Sequence, residues 1–251
     1  MMKKIFGLTS RVGIILPLIV SLPAVVRAGS EVKQYWLDVN PQWLHKSSIK
    51  VKGNFGVRAS ATGTKWIRYL ARPSIIYGFG NGIYLSGGIG FLYTDYKESP
   101  SQKKTDLWEL RPFQGLGYLY RPSFRVSFDF GAKLEERYFY EIDSSDRSEA
   151  LRVRFGVTGA YKFDAYQDGR YWKVTLGGEV FDTVSGSDVG EKSRVNLGFE
   201  RSFSHAQRLR LELTWQKQGR LRDNAEENQL FIRLRYYPSW GNVRFNPLRD
   251  L

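Results

Sequence analysis

The sequence predicts an all-β protein: a transmembrane, antiparallel, up-and-down β-barrel of twelve strands, with ten as the alternative count, around a charged lumen. Three observations predict it. From about residue 48 to residue 238 the chain consists of ten- to fifteen-residue runs in which apolar and polar residues alternate. The polar positions of those runs carry Glu and Arg where a soluble sheet would carry Ser and Thr. The runs are also longer than the five or six residues usual in soluble strands, and match the nine to eleven a tilted strand needs to cross a bilayer. In the run 124–135, Phe124, Val126, Phe128, Phe130, Ala132 and Leu134 fall on one face, and Arg125, Ser127, Asp129, Gly131, Lys133 and Glu135 on the other. Side chains alternate across a strand, so each run has one apolar and one charged face. A membrane barrel turns the first to lipid and the second to its lumen.

Residues 1–28 read as a cleaved secretory signal, with an uncleaved anchor as the alternative. Lys3, Lys4 and Arg11 supply the positive start, Val12 to Val26 the apolar stretch, and Val26 and Ala28 the small residues for cleavage after Ala28. The stretch is short for a membrane span and carries Pro17 and Pro23; no second apolar run long enough to span follows. Cleavage removes Lys3, Lys4, Arg11 and Arg27, and with them four of the thirteen net positive charges. Residues 29–251 then form one domain, the outer-membrane barrel. The absence of cysteine excludes disulfides, thiolate metal sites and a cysteine nucleophile.

Eleven runs read as strands: 33–44, 48–59, 65–79, 82–96, 107–120, 123–141, 150–163, 171–184, 192–203, 208–220 and 228–238. A weaker twelfth lies around 241–247. The connections near 45–47, 80–81, 121–123 and 204–207 are short, and the one at 164–170 is of middling length. Those at 60–64, 97–106, 142–149, 185–191 and 221–227 are longer and more polar. This parity is that of outer-membrane barrels, with short periplasmic turns and long external loops. It sends the first strand inward from outside, whereas an even-stranded barrel keeps both ends in the periplasm. Either an added segment near residues 29–36 or a different last strand would restore evenness.

Aromatic residues gather at both ends of the apolar face. Trp43, Tyr77, Tyr118, Tyr120, Phe124, Tyr161, Phe163, Trp172, Phe203 and Tyr236 lie near the short turns. Tyr93, Trp108, Tyr138, Tyr140 and Trp215 lie near the long loops, with aliphatic residues between. Two aromatic girdles are what amphipathic rings form at headgroup interfaces. A general strand preference for aromatics would not cluster them at both ends. The same register sends Glu109, Arg111, Arg125, Asp129, Lys133, Glu135, Arg137, Arg152, Arg154 and Lys173 into the lumen. It also sends Glu179, Arg194, Glu200, Arg208, Arg210, Glu212, Arg233 and Arg235 there. An unpaired charge inside a narrow lumen costs several kcal/mol, so the acids are expected to pair with arginines on neighbouring strands. Two readings remain open: a structural charge ladder that fills the barrel, and a water-filled path in which surplus Arg and Lys select anions.

Other chemistry finds little support. The basic residues alternate along strands and build no patch of the kind nucleic acid requires, so no nucleic-acid partner is expected. No metal spacing, phosphate loop or nucleotide motif stands out, and no cofactor is expected. His45 and His205, the two histidines, fall in short turns. Ser202 and Ser204 beside His205 suit turn chemistry better than a catalytic dyad. Glu135 and Glu141 share a face as a glycosidase pair would, but salt-bridge membership explains them more simply. Gly87, Gly88, Gly90, Gly115 and Gly117, inside strands, suit tight barrel curvature.

The order of segments also carries a resemblance. Trp36 and Arg58 are followed by WIRYLARPSIIYGF (66–79), WELRPFQG (108–115), KLEERYFYE (133–141), LRVRFGV (151–157), GEVFDT (178–183), SRVNLGFERSFS (193–204) and QLFIRLRYYP (229–238). This order resembles the bacterial domain-of-unknown-function family 2490, whose members look like outer-membrane barrels. The resemblance implies a barrel in a Gram-negative envelope and no particular activity. Such barrels end on an aromatic in the last strand; here that role falls to the RYYP segment (235–238), with a tail beyond it. The expectation is a monomeric, porin-like outer-membrane protein in contact with lipid. Its lumen is either a narrow channel preferring small anionic solutes or occluded. The alternatives are a lipid- or peptide-modifying hydrolase of the same membrane and a soluble periplasmic β-protein.

Overall fold

A computed structural model describes residues 32–241 apart from 47, 63–64, 97–105, 143–146, 164–168, 186–189 and 220–225. The expected signal segment 1–28 and most of the weak strand candidate at 241–247 lie outside the described residues. Every regular element described is a strand. The first six are short: β1 (Val32–Val39), β2 (Gln42–Lys46), β3 (Ile49–Lys52), β4 (Phe55–Ser60), β5 (Trp66–Ala71) and β6 (Ser74–Gly78). The other eight are long: β7 (Ile83–Tyr96), β8 (Leu107–Tyr120), β9 (Val126–Glu141), β10 (Arg147–Phe163), β11 (Tyr171–Ser185), β12 (Gly190–Ser202), β13 (Gln207–Gly219) and β14 (Glu226–Gly241).

The short strands join in pairs. Each pair is one long strand broken at a residue that cannot continue the ladder: Asn40-Pro41, Gly53-Asn54 and Arg72-Pro73. Proline has no N–H to donate and glycine lacks the side chain that stiffens a strand. The breaks are bends, because the pairing offset is kept across them. Val39 faces Phe55 on one side of the break and Gln42 faces Lys52 on the other. Main-chain bonds also bridge the bend, with Gly53 N donating to Pro41 O at 2.9 Å, Asn54 N to Arg72 O at 3.1 Å and Arg72 N back to Asn54 O at 2.9 Å.

Counted this way, eleven strands close into one barrel. Neighbours along the chain pair antiparallel, as expected. The seam does not. β1 runs parallel to β14 from Val32↔Leu230 to Val39↔Tyr236, and β2 continues from Gln42↔Ser239 to Leu44↔Gly241. An odd number of hairpin-linked strands leaves the first and last pointing the same way, so only a parallel ladder can close the sheet. The barrel is therefore mixed rather than wholly antiparallel, and among the described residues it has eleven strands, against the twelve expected. The ends of β1 and β14 consequently open at opposite rims. Tight turns such as 79–82 gather at one rim; there Gly80 (φ 89°) and Gly82 (φ 91°) adopt a left-handed backbone that favours glycine.

The two faces invert the arrangement of a soluble protein. Leu37, Phe155, Leu116 and Ile75 on the outside are each more than half exposed, whereas Glu135, Glu200, Asp38 and Lys50 inside show 0% exposure. A few apolar side chains, among them Leu44, Ile76, Leu92 and Phe231, are buried with the charges. Two interior glycines are explained by close approach. Tyr84 lies where a Cβ on Gly117 would stand, and Phe113 with Pro73 O crowds the same position at Gly88. These two make room for side chains crossing the interior, a more specific role than curvature alone.

Candidate functional site

The charged interior is arranged in three tiers along the barrel. Near the tight-turn rim, Glu200 accepts from Lys173 Nζ at 2.8 Å and Arg210 Nη2 at 2.6 Å, with Arg208 at 3.6 Å and the Tyr171 hydroxyl at 3.3 Å. In the middle, Arg154 bridges two strands. Its Nη1 reaches Glu135 Oε1 at 3.1 Å and its Nη2 reaches Glu179 at 2.6 Å, while Arg72 Nη2 holds the same Glu135 oxygen at 2.6 Å. Asp38 pairs with Arg233, and Glu212 receives Arg235 at 3.0 Å. Toward the long-loop rim, Glu109 is gripped by Arg111 at 2.7 Å and Arg137 at 2.6 Å. Each glutamate thus serves two or more cations, and Asp38 serves one, where a lone charge would cost several kcal/mol. The planar guanidinium is what lets Arg154 serve two carboxylates at once.

These pairs gather Glu109, Arg111, Glu135, Arg137, Arg154, Lys173, Glu179, Arg194, Glu200, Arg208, Arg210, Glu212, Arg233 and Arg235 from the positions that alternation marked as inward. Arg152 lies with them, its Nε donating to Thr183 Oγ1 at 3.4 Å and its guanidinium over Phe181. Asp129 accepts from the Tyr84 hydroxyl at 2.7 Å, and Lys133 stands over the Phe113 ring. Arg125 stands apart: it precedes β9, is exposed, and lies over Phe124. Glu141 is exposed at the far end of β9, six residues and roughly 20 Å along the strand from Glu135. The two therefore share no site.

His45 is exposed beside the Trp43 ring, and His205 sits against Gly169. Ser202 Oγ donates to the main-chain oxygens of Gly169 and Ser204 at 2.8 and 2.9 Å, which is turn chemistry. Among the described residues no group of three His, Asp or Glu side chains is placed to hold a metal.

The bent strands supply interior groups that alternation did not mark. Trp36 from β1 stacks on Phe231 at 5.0 Å and carries Arg58 (3.9 Å) and Arg233 (5.0 Å) over its ring, with Arg194 farther off at 6.0 Å. Asp38, Lys50, Arg68 and Arg72 come from the same quarter. Their signal was present: the two-residue period of β1–β6 carries through the breaks, and following it across Pro41 and Pro73 places all of them inside.

Two polar chambers remain between the tiers. One, of about 260 Å³, lies between Trp36 and a wall of arginines; the other, of about 240 Å³, lies beside Lys52, Tyr84 and Lys133. Arg154 and Glu179 line both. Across the described ion pairs, ten basic side chains share six carboxylates. The interior is therefore both filled and positively charged.

A barrel built this way, with the segment order given above, meets its family in the match of one sequence profile. The profile described as "Protein of unknown function (DUF2490)" covers residues 33–229. The chain belongs to this family. The matched span begins in β1 and reaches into β14, so the DUF2490 region takes in nearly the whole barrel, bent strands included. Comparison with curated proteins finds no match.

Proposed function

We propose that this DUF2490 protein is an outer-membrane β-barrel, exported through its N-terminal signal, whose lumen is closed at rest by its own charge ladder. The observation that carries the closure is the middle tier. Glu135 has no exposed surface, and Arg72, Arg154 and Glu179 join it into one chain of ion pairs that ties β9, β10 and β11 to the Arg72 bend. The membrane reading is supported by the outer face, where exposed Leu, Ile, Val and Phe continue from strand to strand. Soluble monomers rarely expose apolar patches beyond a few hundred Å². An apolar groove of about 1040 Å³ between Tyr118, Phe130, Phe155 and Val195 suits lipid chains better than water.

A second reading, an anion-preferring channel, is favoured by the surplus of basic groups over carboxylates. The two readings agree on the barrel and differ on whether the middle tier opens. Membrane residence is tested by fractionating cells and extracting the protein. Recovery in the outer-membrane fraction, solubilised by detergent alone and running at a different gel mobility before and after boiling, is expected. Release into the periplasm without detergent would overturn the reading.

A further inference from the structure

The arginine-walled chamber has more charge than its acids neutralise. Arg154, Arg194, Arg210, Arg233 and Arg235 face it, against Glu179 and Glu212. The carboxylates behind the wall are already shared: Glu135 also serves Arg72, and Glu200 also serves Lys173 and Arg208. Arg194 is the least compensated member. Its Nε is spent on the neutral Gln216 side chain at 2.5 Å, and its nearest carboxylate, Glu179, is 3.8 Å away. Arg235 adds a buried Nε with no hydrogen-bond partner among the described residues. The rest of the lining is neutral: Trp36, glycines, Thr158, Thr175, and Thr214 with its hydroxyl donating to Asn196 Oδ1 at 2.8 Å.

Surplus charge enclosed by protein costs several kcal/mol per ion unless a counter-charge is brought in. Guanidinium forks match the oxygens of phosphate and carboxylate in spacing and plane. Resting on the closed-lumen reading above, we infer that this chamber is a binding site for one small, multiply charged oxyanion, held between Arg194, Arg233 and Arg235 and bounded by the Trp36 ring. A volume of about 260 Å³ admits inorganic phosphate, pyrophosphate or a compact polycarboxylate and excludes a nucleotide or an oligosaccharide. The Arg154–Glu179 bridge, shared with the second chamber, is the wall such an anion would compete with: an anion that draws Arg154 from Glu179 loosens the middle tier.

The test is calorimetric titration of the purified, folded barrel in zwitterionic detergent with inorganic phosphate, pyrophosphate and citrate, at constant ionic strength. Saturable binding of at least one of them near one equivalent is expected. Arg194→Gln should weaken it by tenfold or more, while Arg201→Gln, on the outer face over Trp172, leaves it unchanged. Glu179→Gln, which removes a competing carboxylate, should tighten it. If Arg194→Gln fails to fold, Asn196→Asp, which keeps the size of the side chain and adds a negative charge to the same wall, should also abolish binding. Absence of saturable heat with all three anions, or equal affinity in wild type and the folded wall variant, would overturn the site. A barrel that binds none of them yet stays electrically silent would leave the closed lumen standing; a conducting barrel would contradict closure, with the calorimetry still deciding the anion site.

Discussion

The wall from β7 to β13 and the wall from β1 to β6 solve the same problem differently. In the first, strands of 13 to 17 residues run unbroken and, from β8 onward, place charges among the inward alternate positions. In the second, each strand bends once, at Pro41, Gly53 or Pro73, and Arg72 at one bend reaches Glu135 on the opposing wall. The regular wall supplies the carboxylates Glu109, Glu135, Glu179, Glu200 and Glu212. The bent wall supplies Arg58, Arg68 and Arg72, and only Asp38 as a paired acid. The difference teaches that a bend in one wall brings Arg72 to the carboxylates of the other, where ion pairs fasten the two together.

That division can be broken at its strongest point first. Replacing Glu135 with Gln leaves Arg72 and Arg154 without the acid between them, and removal of one partner from a buried pair costs about 3–5 kcal/mol. Urea unfolding of the refolded barrel should show that loss, whereas Glu141→Gln at the exposed strand end should stay within about 0.5 kcal/mol of wild type. Equal effects would mean the middle tier fastens nothing.

Next comes a contact inside the regular wall, where Tyr84 of β7 reaches across β8 to Asp129 of β9. A Gly117→Val substitution puts side chain where the Tyr84 ring lies, an overpacking of about 1–3 kcal/mol in the same assay. Tyr84→Phe removes only the hydroxyl that donates to Asp129 at 2.7 Å, and should cost about 1.5–3 kcal/mol as a bond to a charged group. A double substitution far from additive would show that ring and hydroxyl act as one unit.

The seam between the two walls allows a sharper geometric test with little energetic consequence. Leu37 and Leu234 face each other across the parallel ladder, both outward and exposed. The chain has no cysteine of its own, so Leu37→Cys with Leu234→Cys should form a cross-link under mild oxidation, read as a gel shift. Moving the second cysteine two residues along, to Tyr236, should reduce its yield. Equal yields would contradict the parallel register.

Much of this was legible from alternation. In β8 to β14 one register fixes both faces, and most of the charged residues it marks as inward are found in ion pairs; Asp129 and Lys133 meet Tyr84 and Phe113 instead, and Arg125 lies outside because β9 begins only at Val126. The aromatic girdle positions Trp43, Tyr77, Tyr118 and Trp108 lie on the exposed face for the same reason. Three things were not legible. The parallel seam depends on two strands nearly two hundred residues apart, and no local pattern encodes which partner closes a sheet. The bends within 33–44, 48–59 and 65–79 leave no mark on the alternation, because the period of two passes through Pro41, Gly53 and Pro73 unchanged. The chambers depend on how far each side chain reaches, so the arginines around Trp36 read as a list until Asp38, Arg58 and Arg233 meet there.

The most direct test of the closed lumen is electrical. Purified barrel, with folding established by heat-modifiable mobility, is inserted into a planar bilayer under a salt gradient, and wild type is compared with Glu135→Gln. A silent wild type, with anion-selective openings appearing only when the Arg72–Glu135–Arg154 chain is cut, is the result this account predicts. A steady anion current through the wild-type protein, unchanged by the substitution, would contradict it.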